Sequence, residues 1–303
     1  MDHFNYEIVR KDFHDVLNEI DGKLKAEWSE KYKDIAGGKE IISTFIGTSK
    51  VLYKTIIFLC IDSKDDSERD LYYVLSTPQL NRTLLEILFS VIYLLEDFPT
   101  HNKLFFKYLL VDKKEKLDAL KKNYAGIDKW DNYLKEQYEE LEKFKQVIED
   151  NLSLTDHEET KLGKNIIQSG RFPSPSRVIK RLKDSHSDKV KFLEFLDSLL
   201  YMELSSKTHL NPSGVIDLSK FYLKDNIFFN ENSKKTNESE LLSFRQEQVC
   251  ISFGLMLALY SEIEINFDYG FKSKLKNLWM QFNDIGNDFI KEIYEKRYCA
   301  ILA

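Results

Sequence analysis

Glycine and proline are scarce in this chain: 11 Gly and 5 Pro in 303 residues. That scarcity excludes a fold built from many tight turns, and long helices are the alternative. Cysteine is rarer still. Cys60, Cys250 and Cys299 are odd in number and share no short spacing, so neither a disulfide framework nor a zinc site is expected, and a reducing, cytoplasmic setting is. No cofactor motif appears: "AGGKE" lacks the remaining glycine and the hydroxyl of a phosphate loop, and His-Glu-x-x-His and Asp-rich calcium loops are missing. The first residues, "MDHFNYEIVRKDFHDV", contain no apolar signal core, and no run of eighteen apolar residues follows, so no membrane partner is expected. Excess positive charge is also absent. The formal net charge is −6, so a nucleic-acid partner would have to be engaged at a local site rather than drawn in by the whole surface.

What is present is helical periodicity. With 43% apolar and 13% aromatic residues, the composition supports a substantial core. The spacing predicts one all-α domain over residues 1–303, a multi-helix bundle. Its parts are an N-terminal helix over 3–34, a bundle over 40–150, a polar linker over 151–175 ending in "FPSPS", and motif helices with a loop over 176–242. C-terminal helices over 243–297 close the chain. "DHEET" at 156–160 reads as loop charge, and "NENSKKTNESE" as a mobile loop.

The helix over 78–97 is the central one, with Thr77 as its expected N-cap and Pro78 at its first position; Pro99 lies just past its expected end. Leucine, isoleucine, valine and phenylalanine cover most of its circumference. Gln79, Arg82, Glu86, Ser90, Tyr93 and Asp97 fall within roughly 80° of one another at 100° per residue. A helix apolar on nearly every side is buried on nearly every side, so this narrow stripe must face a strip of solvent, a cleft or polar groups of another helix. A second helix, over 188–209, places Val190, Leu193, Leu196, Leu199, Leu200 and Leu204 on its core side. Glu194, Ser198, Tyr201, Ser205 and His209 lie on the other. Residues four apart advance about 400°, so the last three make one slowly drifting line. His209 falls at a helix C-terminus, where the negative dipole end favours its protonated form, and beside two hydroxyls such a group can move protons.

The stretches "NRTLLEILFSVIYLLEDFP", "SPSRVIKRL" and "YMELSSKTHLNPSG" together resemble a family of uncharacterised bacterial and archaeal all-helical proteins over roughly residues 40–265. In that family an Arg-x3-Glu helix is followed, about a hundred residues on, by Tyr-x3-Ser-x3-His at a helix end. The matching positions are Arg82, Glu86, Tyr201, Ser205 and His209. The helical layout is similar to that of the HEPN superfamily, whose members include metal-independent ribonucleases of toxin–antitoxin and phage-defence systems. The resemblance implies a HEPN-like fold, RNA or a nucleotide as substrate, no metal, and a homodimer or another protein as partner. The HEPN pattern of Arg, four to six residues, then His does not precede His209. It occurs at Arg181 and His186, in "RLKDSH", where Leu182 replaces the usual polar neighbour. Eight arginines and six histidines produce such a spacing readily by chance. Two functions from different classes follow. One is a metal-independent ribonuclease or nucleotide-directed effector. The other is a non-catalytic helical module, whose polar cluster fixes helix register or binds a small ligand or partner protein.

Overall fold

Every described element is a helix. The computed structural model describes residues 6–28, 30–62, 74–183, 187–208, 236–284 and 288–302, and no strand occurs among them. In chain order the elements begin with α1 (Tyr6–Ala26), a 3₁₀ turn (Glu30–Tyr32), and α2 (Gly38–Ile57) continuing into a π turn (Phe58–Asp62). Next come α3 (Thr77–Glu96), α4 (Phe98–Tyr124), α5 (Asp128–Asn151), α6 (Asp156–Leu162), α7 (Lys164–Gln168) and α8 (Pro175–Leu182). α9 (Ser187–Leu196) leads through a π turn (Asp197–Tyr201) into α10 (Met202–Thr208). The chain ends with α11 (Thr236–Phe267), α12 (Lys272–Asp284), and α13 (Asp288–Ile293) joined by a π turn (Tyr294–Tyr298) to α14 (Cys299–Ile301).

The all-α class is as the periodicity predicts, but several boundaries differ. α1 stops at Ala26, short of residue 34, and α11 begins at Thr236, inside the stretch read as loop. About half of the expected linker over 151–175 is folded into α6 and α7, with "DHEET" inside α6. Thr155 opens α6 with a capping box: its hydroxyl accepts the Glu158 amide, and the Glu158 carboxylate accepts the Thr155 amide. Thr77 does not cap α3. Its buried hydroxyl donates back to the Val74 carbonyl at 2.6 Å. Pro99 opens α4 instead of closing α3, and there its missing N–H costs no hydrogen bond. Residues 209–235, which carry most of the expected loop, lie outside the described residues.

Packing divides the chain into two compact units, and the division falls within α2 and α3. The first comprises Met1–Lys31, Ser43–Ile92 and Pro175–Ala303. Its centre is α11, buried on every side from Ile251 to Glu264. Phe13 of α1, Tyr53 of α2 and Phe282 of α12 gather on Phe253, at ring distances of 4.5, 5.3 and 4.9 Å. Among the described residues, two helical stretches are long and apolar enough to cross a membrane, Gly38–Ile61 and Glu240–Phe267, and 89% of the apolar window of the latter is buried inside the fold. Polar groups on so buried a helix need partners. Ser261 accepts the Trp279 indole N–H at 3.1 Å, and Tyr260 donates to Asp21 at 2.7 Å. The Glu262 carboxylate takes the Arg297 guanidinium through both oxygens and the Tyr298 hydroxyl at 3.1 Å. Its side chain is 2% exposed and that of Arg297 8%. The helix ends where Glu264 accepts the backbone N–H groups of Tyr269, Gly270 and Phe271. Asp268 is there in the left-handed region, at φ 54°.

The second unit comprises Tyr32–Ile42 and Tyr93–Ser174. α4 and α5 form an antiparallel hairpin, turned by Gly126 at φ 88° and zipped along Leu117, Leu134, Leu141 and Ile148. α6 and α7 close its base. Leu162 packs with Leu104 and Tyr108, Lys103 reaches Glu158 at 2.9 Å, and Lys161 reaches Asp97 at 2.7 Å. Gly37 sits at φ 70°, where another residue would be strained, and a Cβ there would meet the Phe106 ring at 2.5 Å and force that ring to shift.

Two outcomes test this packing. Glu262→Gln leaves a buried guanidinium without its counter-charge and is expected to destabilise the chain by about 3–5 kcal/mol in denaturant titration. The apolar pair Glu262→Met/Arg297→Leu should be less damaging than that single change. His14 supplies a pH test. Its pKa is held below 6.5, first by burial, then by Arg10, Lys54 and Lys50, with Asp15 opposing. The unfolded chain therefore binds that proton first, and this contribution to stability is lost as pH falls through the unfolded value towards the depressed folded one. Between about pH 7.5 and pH 5.5 the Tm of the wild type should fall more steeply than that of His14→Gln.

Candidate functional site

α3 exists as a helix because it is made of leucine, isoleucine and phenylalanine with no glycine, and it is held because nearly all of it is buried. Leu84, Leu85, Leu88, Phe89, Val91 and Ile92 are all in the core. Arg82 and Glu86, one turn apart, are the charged pair of the stripe within the first unit. The Arg82 Nε donates to Glu86 Oε1 at 3.1 Å, and one terminal nitrogen, Nη2, donates to the Tyr201 hydroxyl at 3.1 Å. Tyr201 in turn donates to Glu86 Oε1 at 3.3 Å, closing a three-membered ring of hydrogen bonds. The guanidinium carbon also lies 5.2 Å from the centre of the Tyr201 ring, a cation–π contact. The Arg82 side chain is 15% exposed and that of Glu86 40%, so the ring is closed towards the core and open on the carboxylate side.

Of the three surroundings available to the polar stripe, its Arg82–Glu86 part faces polar groups of another helix. The remainder goes elsewhere. Gln79 is exposed, and Ser90 donates back to the Glu86 carbonyl at 2.8 Å. In the second unit Tyr93 is buried against His101, with ring centres 4.1 Å apart, while Asp97 pairs with Lys161.

Tyr201 owes its position to the π turn that it ends. There the Met202 amide bonds back to the Asp197 carbonyl, five residues away, so one extra residue is accommodated in the turn. The surplus residue rotates the following helix relative to α9. This accounts for Leu199, expected in the core, being 46% exposed while Leu200 and Leu204 are buried. Ser205, one turn beyond Tyr201, is half-buried and takes no part in the ring. His209 follows Thr208 in sequence and lies outside the described residues, as does His186; Arg181 is half-buried on α8. The structure thus brings Arg82, Glu86 and Tyr201 together across more than a hundred residues of sequence.

Two further residues belong to the same part of the fold and were not singled out from the sequence. Asn81, beside Arg82, is wholly buried and donates to both the backbone carbonyl and the side-chain oxygen of Gln248 on α11, at 2.9 and 3.0 Å. Adjacent residues of α3 are therefore tied to different helices, Asn81 to α11 and Arg82 to Tyr201. The available signal was an amide placed among apolar residues next to the arginine. Among the described residues, no hydrogen-bond partner meets the buried Asn81 Oδ1, Gln248 Nε2 or Arg245 Nε. Cys60 lies beside Thr77 and Arg245, and burial pushes its thiol up to about 12, so it is no nucleophile at neutral pH. Lys207, the cation nearest His209 in sequence, is engaged by Glu203 at 2.6 Å. No group of three or more His, Cys, Asp or Glu side chains suited to a metal ion occurs among the described residues.

The ring is testable as a unit. In a double-mutant cycle, Tyr201→Phe and Glu86→Gln should each destabilise the chain, and their effects should fall short of additivity by about 0.5–1.5 kcal/mol, the range of a shared hydrogen bond.

Comparison of the chain with protein-family models, with curated proteins and with solved structures found no match in any of the three.

Proposed function

We propose that the chain is a HEPN-like, metal-independent ribonuclease or nucleotide-directed effector that acts at the Arg82–Glu86–Tyr201 ring, with a place in toxin or phage-defence systems. The observation that carries this reading is the openness of the ring. A guanidinium is oriented by a carboxylate and a phenol, and the side chains of Arg82 and Glu86 are 15% and 40% exposed, so the pair reaches the surface, where the cation can take part in holding an anion. Glu86 orients the Arg82 fork, Arg82 holds the phosphate, and Tyr201 and Ser205 orient the scissile group. His209, which follows α10 in sequence, acts as general acid–base.

The reaction needs only proton transfers. A ribose 2′-oxygen attacks the adjacent phosphorus as its proton passes to a base. The bond from phosphorus to the 5′-oxygen breaks, and that oxygen takes up a proton. The products are a 2′,3′-cyclic phosphate and a free 5′-hydroxyl. His209 is the residue of this set whose ordinary pKa suits both proton steps near neutrality.

A second reading is favoured by the same hydrogen bonds. Arg82 already spends Nε and Nη2 within the protein. In a non-catalytic helical module, the same ring fixes the rotation of α3 or binds a small ligand or partner protein. Cleavage of total RNA and tRNA in EDTA separates the two. The ribonuclease reading expects fragments ending in 2′,3′-cyclic phosphate from the wild type and at least about a hundredfold less from His209→Ala. Intact RNA with both proteins, each folded and in its native oligomer, supports the module.

A further inference from the structure

Two wholly buried side-chain amides meet between α3 and α11, and their bonds fix which way each one faces. Asn81 Nδ2 donates to the Gln248 backbone carbonyl at 2.9 Å and to the Gln248 side-chain oxygen at 3.0 Å. A backbone carbonyl can only accept, so Asn81 must present its NH2 group there, and Gln248 must answer with its oxygen. The Asn81 oxygen and the Gln248 NH2 group are left over. Among the described residues neither has a hydrogen-bond partner. Both residues are 0% exposed, so bulk water does not reach them, and such groups are costly to leave unmatched.

A cation stands beside them. Arg245 precedes Gln248 by three residues and so shares its side of α11, and its buried Nε also lacks an acceptor. Among the described residues, no carboxylate pairs with this guanidinium. On the facing helix, Thr77 precedes Asn81 by one turn of α3. Cys60, on the π turn that ends α2, lies against Thr77 and within electrostatic reach of Arg245, and α11 packs on that π turn. Arg245 and Gln248 therefore face Thr77 and Asn81, with a protonated thiol alongside. Arg245 is only half-buried, so its end of the cluster meets the surface.

We propose that Arg245, Gln248 and Asn81 bind a small monocarboxylate that carries a hydroxyl group. The Arg245 guanidinium and the Gln248 NH2 group donate to the carboxylate oxygens, and the Asn81 oxygen accepts the hydroxyl proton of the ligand. Of these residues Arg245 alone is charged, so one negative charge balances the site. The second charge of a phosphate dianion would be buried without a counterpart. An ammonium group in place of the hydroxyl would bring a charge that the neutral Asn81 cannot offset. Complete burial of both amides limits the ligand to a few heavy atoms, which excludes a protein surface or a nucleic-acid strand. The proposal is independent of the Arg82 ring.

Titration of the full chain with glycolate at fixed ionic strength tests it, read by calorimetry and by side-chain amide NMR. The expected result is saturable binding at one site, with a Kd on the order of 1 mM, that shifts the side-chain amide signals of Gln248 and Asn81. Acetate, which lacks the hydroxyl, and inorganic phosphate should each bind at least about tenfold more weakly, and Arg245→Gln should weaken glycolate by as much. The amide signals are read in the wild type, so the test stands whether or not that variant folds. Absence of saturable binding up to about 50 mM glycolate would overturn the proposal. So would binding that leaves the Gln248 amide signals unmoved, phosphate binding more tightly than glycolate, or a folded Arg245→Gln that binds glycolate undiminished.

Discussion

A charge on a helix that is buried nearly all round must find its counter-charges inside the protein, and the first unit is arranged around that requirement. α3 and α11 are both too apolar to be anywhere but inside, and each carries ionisable or amide groups that water cannot reach freely. Arg82 is met by Glu86 and Tyr201, and Asn81 by Gln248. Each bond fixes the rotation of one helix against another. Apolar packing alone does this poorly, because a helix that is greasy all round has many acceptable rotations.

The same solution occurs twice. Arg297, Glu262 and Tyr298 form a ring of arginine, carboxylate and phenol like that of Arg82, Glu86 and Tyr201. The C-terminal ring is sealed, with Glu262 at 2% exposure, and Trp279 stacks on its tyrosine at 5.3 Å. No ligand can reach it, so its role is structural. The α3 ring has the same chemistry with its carboxylate at the surface. This difference in exposure separates a register pin from a candidate binding site, and it is why the functional proposal rests on one ring and not the other. In both rings the tyrosine ends or lies within a π turn, whose extra residue turns the phenol towards the carboxylate.

The sequence made the helix class legible, because apolar periodicity and scarce turn residues speak for long stretches at once. It also singled out three residues that the fold brings together. Arg82 and Glu86 stand out on an otherwise apolar helix, and Tyr201 on a leucine-rich one. Other features depend on information that periodicity does not hold. The π turn at Asp197–Tyr201 breaks the 3.6-residue count, so Leu199 was assigned to the wrong face. α6 and α7 have too few apolar residues to announce themselves, and α6 is held by a capping box, by Lys103 of α4 reaching Glu158, and by its own Lys161 reaching Asp97. Asn81 and Gln248, 167 residues apart, could be paired only by the fold.

The central claim is that the Arg82 guanidinium is held in place by Glu86 and Tyr201. Side-chain nitrogen NMR of Arg82 tests it most directly, through exchange of its Nε proton with water. The account predicts exchange slowed at least about tenfold relative to an exposed arginine of the same chain, and faster again in Tyr201→Phe. An Arg82 proton that exchanges like that of a free arginine, with or without the tyrosine hydroxyl, would contradict it.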